Sequence, residues 1–121
     1  MGIGKVRTKI ILSMKKDTKE AICPEVKATL KAIGGKWKPL VLWHLNKQDV
    51  MRFGELKKNM SGITQKMLTK ELRELESDRI IKRKVYPQVP PKVEYSITEY
   101  GKSLRPVIKE MYKWGKEHSK V

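Results

Sequence analysis

Gln65, Lys66, Thr69, Lys70 and Arg73 recur at i, i+1, i+4, i+5 and i+8, which places them on one face of a helix. Their chemistry suits a DNA duplex. Amide and guanidinium groups make paired hydrogen bonds to base edges, while lysine and threonine side chains bind phosphates. On the other side, Leu68, Leu72 and Leu75 fall at i, i+4 and i+7 with Met67 beside them, a stripe suited to burial. A helix docked from behind with cations and amides in front is the reading element of a helix-turn-helix. The pattern predicts Gln65, Thr69, Lys70 and Arg73 as base contacts.

The neighbouring elements must hold that helix. Phe53 to Asn59 reads as the helix before it, with Phe53 and Leu56 inward, and Ser61-Gly62 as the turn between. Ile80 to Tyr86 and Lys92 to Ile97 alternate as two strands around the stiff tip Pro87-Gln88-Val89-Pro90-Pro91, a wing. Lys57, Lys58, Thr64, Lys66, Lys82, Lys84 and Lys92 are the candidate phosphate contacts.

Upstream, Cys23-Pro24-Glu25 opens a helix that carries Val26, Leu30 and Ile33 and closes at Gly34-Gly35. Lys36 to Leu45 is dense in large apolar residues and reads as the central core helix, with Pro39 tolerated in its first turn. Val50-Met51-Arg52 reads as a short edge strand. Thr98 is a suitable cap for the last helix, with Glu99 in its first turn. That helix carries the stripe Leu104, Val107, Ile108, Met111 and Trp114. The expected fold is mainly α with a small β-hairpin wing, a winged helix-turn-helix over residues 21–117. Residues 1–20, with Lys5, Arg7, Lys9, Lys15 and Lys16, read as a basic arm or an extension contacting a second subunit.

Composition points the same way. At 121 residues the chain is one domain, and 28 Lys+Arg against 13 Asp+Glu give a net charge of +15 spread along its length. Such a body favours a polyanionic partner. No apolar run is long enough for a bilayer span, and Ile10-Ile11-Leu12 is too short for a secretory signal, so a cytoplasmic protein without a membrane partner is expected. One cysteine and two distant histidines leave no metal-ligand set, and no catalytic or cofactor motif is present. We expect neither an enzyme nor a bound cofactor. Trp37, Trp43 and Phe53 are read as core in preference to an effector pocket, and His44 as a core or interface histidine.

Several strings, from about Cys23 to Trp114, carry a family resemblance: Cys23-Pro24, Ile33-Gly34-Gly35-Lys36-Trp37, Arg52-Phe53-Gly54-Glu55-Leu56 and Ser61-Gly62-Ile63-Thr64-Gln65-Lys66-Met67-Leu68-Thr69. Others are Leu72-Arg73-Glu74-Leu75-Glu76, Tyr86-Pro87-Gln88-Val89-Pro90-Pro91-Lys92-Val93-Glu94-Tyr95-Ser96 and Thr98-Glu99-Tyr100-Gly101. In these the sequence resembles the HxlR-type winged-helix transcriptional regulators, relatives of the MarR group. The resemblance implies a homodimer on a pseudo-palindromic operator, usually as a repressor, with the first and last helices forming the interface. Val26, Leu30, Leu104, Val107, Ile108, Met111 and Trp114 are the corresponding interface candidates. It also implies that the cysteine of the Cys-Pro string serves some members as a sensor of electrophiles or oxidants. The basic arm is longer than the leaders expected of the family.

Apart from the resemblance, Cys23 starts a helix, where the positive dipole end and the nearby Lys19 and Lys27 favour the thiolate form. A single cysteine forms a disulfide only with another molecule. The competing functional reading is a non-specific architectural DNA binder, which an exposed apolar wedge would favour; none is evident in the sequence.

Overall fold

A computed structural model describes residues 23–119; the basic arm lies outside them. The chain divides between Gly34 and Gly35 into two units. In the described part of the first, α1 spans Pro24–Ile33 with proline in its first turn and Glu25 near the positive dipole end. Val26 and Leu30 are exposed along it.

The second unit is built on α2 (Lys38–Gln48), β1 (Val50–Arg52), α3 (Phe53–Asn59), α4 (Gln65–Ser77), β2 (Ile81–Tyr86), β3 (Lys92–Ile97) and α5 (Arg105–His118). Val41, Leu42 and Leu45 of α2 are buried together with Leu56 of α3 and with Leu68, Leu72 and Leu75 of α4. Ile80, Ile81, Ile97 and Ile108 complete the core. Burying such side chains is worth about 1.5–3 kcal/mol each, which is why the three helices dock. The α3–α4 turn passes through Gly62 at φ 90, a conformation open to glycine and costly for other residues. Thr64 then caps α4, its Oγ1 accepting the Met67 N–H at 3.1 Å. This is the winged helix-turn-helix read from the sequence.

The three strands form an antiparallel sheet in the order β1-β3-β2. Tyr95 of β3 lies opposite Met51 on one side and Arg83 on the other. Met51 and Tyr95 are buried, so their shared face is the one turned to the helices.

Two sequence expectations are corrected. Thr98 caps a 3-10 turn over Gly101–Leu104, its Oγ1 accepting the Gly101 N–H at 2.9 Å, whereas the last α-helix starts at Arg105 with Pro106 in its first turn. Met67 is 37% exposed, because it sits beside the leucine stripe and one position short of burial. Glu71, which falls on the stripe itself, is buried at 8%.

Gly101 is obligatory for close packing: a Cβ there would stand 2.0 Å from the Ile80 carbonyl oxygen. Trp43 of α2 stacks on Tyr112 of α5 at 4.5 Å between ring centroids, and Arg105 Nε donates to Asn46 Oδ1 at 3.1 Å. These contacts seat α5 on α2.

Candidate nucleic-acid interface

The outer side of α4 presents Thr64, Gln65, Lys66, Met67, Thr69, Lys70, Arg73 and Glu74 along one open groove. Gln65, Lys66, Lys70 and Arg73 are exposed, and none of these cations belongs to an ion pair among the described residues. Lys70 does act on Glu74 through its charge. Thr69 is half-buried and its hydroxyl donates to the Gln65 carbonyl at 2.8 Å. With its proton engaged, that oxygen is left to accept, which suits an exocyclic amine of a base better than a phosphate.

The helix is held from behind by charge as well as by leucines. Lys38 Nζ lies 2.6 Å from Glu74 Oε1 and 3.8 Å from Glu71 Oε2. Burial lowers the Lys38 ammonium, but the Glu74 hydrogen bond and the charges of Glu71, Glu74 and Asp78 outweigh it, so the net direction is up. The same bond holds the Glu74 carboxyl below its ordinary range. Glu71 Oε2 is buried without a hydrogen bond and relies on the longer Lys38 contact.

The lysines predicted as phosphate contacts are placed unevenly. Lys57 and Lys58 are exposed at the C-terminal end of α3, where cations also suit the helix dipole. Lys82 and Lys84 are exposed, but their register partners are Ser96 and Glu94, on the sheet face turned away from the helices. Lys92 is already engaged, 3.4 Å from Glu94 Oε2 and 4.7 Å from the Tyr86 ring centroid. The Tyr86 hydroxyl and Lys92 both hold the Glu94 carboxyl below its ordinary range. Arg83 was missed. Strand alternation alone separates it from Lys82 and Lys84, and it reaches the cleft beside Thr69 and Arg73. At the wing tip, Val89 is 99% exposed between Gln88 and Pro90.

Of the interface candidates, Val26, Leu30, Val107, Met111 and Trp114 are exposed in the single chain, at 56%, 61%, 37%, 48% and 66%. Leu104 is half-buried. Ile108 differs from them, filling the core of the single chain at 3% exposure. It forms part of an apolar groove between α2 and α5 with Pro39, Leu40, Trp43, Met111 and Tyr112. Trp37 and Phe53 do not join Trp43 there, so the three aromatics do not line one pocket. Cys23 is exposed and free, in a left-handed conformation at φ 50. Its Sγ lies 3.9 Å from Glu25 Oε1.

Among the described residues no helix is long and apolar enough to cross a membrane. A docked helix with a cationic outer row, followed by a hairpin, defines a winged helix-turn-helix DNA-binding protein. The family model for HxlR-like helix-turn-helix proteins matches residues 32–121, and the chain belongs to that family.

It is similar to the uncharacterized HTH-type transcriptional regulator YdeP of Bacillus subtilis (strain 168), with 55% identity over 96 residues, 79% of this chain and 73% of that one. Among solved structures it is similar to the redox regulator HypR in its oxidized form: TM-score 0.77, 49% identity, 82% of this chain and 100% of that one. The reduced form of the transcriptional regulator YodB from B. subtilis gives TM-score 0.68 and 34% identity, covering 83% and 97%. The chain is a transcriptional regulator with a helix-turn-helix DNA-binding domain, and not an enzyme.

Proposed function

We propose that this regulator binds a pseudo-palindromic operator as a homodimer, acts as a repressor, and changes its DNA affinity when Cys23 is oxidised or alkylated. The observation that carries the DNA reading is the row Gln65, Lys66, Lys70 and Arg73, exposed on a helix fixed from behind. Gln65, Thr69, Lys70 and Arg73 would contact bases, each good bidentate pair being worth about 1–3 kcal/mol. Thr64, Lys66, Lys57 and Lys58 would contact phosphates on either side.

One helix spans too few base pairs for a useful specificity ratio, so two copies about 34 Å apart are required. The exposed Val107, Met111 and Trp114 on α5, and Val26 and Leu30 on α1, support such a pairing. The redox part rests on the exposed thiol of Cys23 and on similarity to HypR, which is named a redox regulator. As the only cysteine of the chain, it would form a mixed disulfide with a small thiol or an intermolecular one with its mate.

Selection of bound duplexes from a random pool, with the thiol reduced and then oxidised, tests the reading. A two-fold-symmetric consensus whose affinity changes on oxidation is the expected result. Equal affinity for every duplex would overturn it. The exposed Val89 at the wing tip favours a second reading, an architectural binder that presses this tip between base steps. That reading predicts bending without a bounded footprint.

A further inference from the structure

Between the recognition helix and the wing lies a cleft lined by Phe53, Thr69, Arg73, Glu76, Arg83 and Tyr95. The strand register explains how Arg83 comes to be there. It lies opposite Tyr95, which lies opposite Met51, and this is the face turned toward the helices. Met51 and Tyr95 are buried and Arg83 is exposed, so Arg83 stands where the core face runs out into solvent. Neither Arg73 nor Arg83 belongs to an ion pair among the described residues, although Glu76 shares the cleft.

We propose that this cleft is a phosphodiester site in which Arg83, beside the base-contacting Arg73, clamps the DNA strand running between the groove entered by α4 and the groove reached by the wing. The proposal rests on the DNA-binding reading above and adds to it the position of one backbone contact. Any duplex that meets the helix and the hairpin together must pass a sugar-phosphate strand between them. A planar guanidinium suits that strand, because it offers paired donors to phosphate oxygens. Thr69 cannot supply the donor, since its proton is already given to Gln65. Glu76 repels phosphate, which leaves the Thr69 and Arg73 side of the cleft for the anion. Lys82 and Lys84, on the opposite face of the sheet, are not part of the clamp.

The full chain is tested against a duplex selected from the random pool, across a salt series, as wild type, Arg83→Gln, Arg83→Lys and the double change Lys82→Gln with Lys84→Gln. Arg83→Gln is expected to weaken every duplex by about tenfold or more without altering base preference. It should also reduce the slope of log K against log salt by about 0.9 per bound protomer. Arg83→Lys restores most of the slope but less of the affinity. In parallel, each phosphate is replaced singly by a neutral methylphosphonate. Wild type should lose affinity at one or two positions on the strand between the two contacted grooves. Arg83→Gln should be indifferent at those positions, while the double lysine variant stays sensitive.

An unchanged salt slope in folded Arg83→Gln, or a wild type indifferent to every such phosphate, overturns the clamp and leaves the DNA reading intact. A wild type that selects no duplex overturns both. Should Arg83→Gln fail to fold, the methylphosphonate scan on wild type and Arg83→Lys decides alone.

Discussion

The Lys38 ammonium donates to Glu74 Oε1 at 2.6 Å, tying the first turn of α2 to the flank of the helix that carries the cationic row. Glu71 shares the same ammonium at 3.8 Å. Lys38→Met removes the partner of a buried carboxylate and should cost about 2 kcal/mol, less than a fully buried pair because the site is partly wet. A Tm lower by roughly 5–10 °C is expected in thermal melts. Adding Glu71→Leu should recover most of the loss; no recovery would mean that Glu71 is not the stranded charge.

The same pair sets a pH signature. Glu74 sits below its ordinary 4.5, so its stabilisation is present above pH 4.5 and is lost as pH falls through the lowered value. Lys38 is raised above 10.5, so its contribution is complete below that pH and is lost as pH rises through the raised value. Wild type should therefore lose stability more steeply than Lys38→Met at both extremes. Parallel curves would refute the linkage.

His44 titrates nearer neutrality. Burial first, and then the charge of Lys47, pushes its imidazole below the ordinary 6.5. Its neutral form is the one that the folded chain favours, so stability is full above pH 6.5 and declines as pH falls below it. His44→Gln should flatten Tm against pH in that acidic window, and an unchanged profile would show that the ring stays solvated.

On the DNA side, Lys70→Ala with Arg73→Ala should abolish specific binding while lowering Tm by no more than a few degrees, because both side chains project outward. Footprinting and melting on the same preparation check this. Operator affinity retained by a folded double variant would remove α4 as the reading element.

For the thiol, diamide treatment of wild type should change operator affinity and give a species that reverts with dithiothreitol. Cys23→Ser should show neither effect. If Cys23→Ser responds as wild type does, sensing lies elsewhere.

Much of this architecture was legible in the sequence because periodicity and punctuation agree. The leucine spacing marks α4, Pro24 and Gly62 mark a helix start and a turn, and the two alternating runs mark the wing. Glu71 was not legible: it falls at a core position, and only its distant partner Lys38 makes burial tolerable. Gly101 likewise gives no hint in one dimension that the Ile80 carbonyl fills the space beside it. At the candidate interface, counting lysines favoured Lys82 and Lys84, whereas the pairing of β2 with β3 brings Arg83 to the helix. Ile108 looked interchangeable with Val107 and Met111 until α2 closed over it.

The Ile80 carbonyl receives the Thr98 N–H at 3.0 Å, and the Thr98 hydroxyl bonds the Arg79 and Ile80 carbonyls. Gly101 abuts the same carbonyl. The entry to the hairpin and the approach to α5 are thus fastened at one short stretch of backbone, the carbonyls of Arg79 and Ile80. The Ile80 N–H meanwhile bonds the Leu75 carbonyl at 3.0 Å, so the reading helix is moored to the same residue as the hairpin and the final turn.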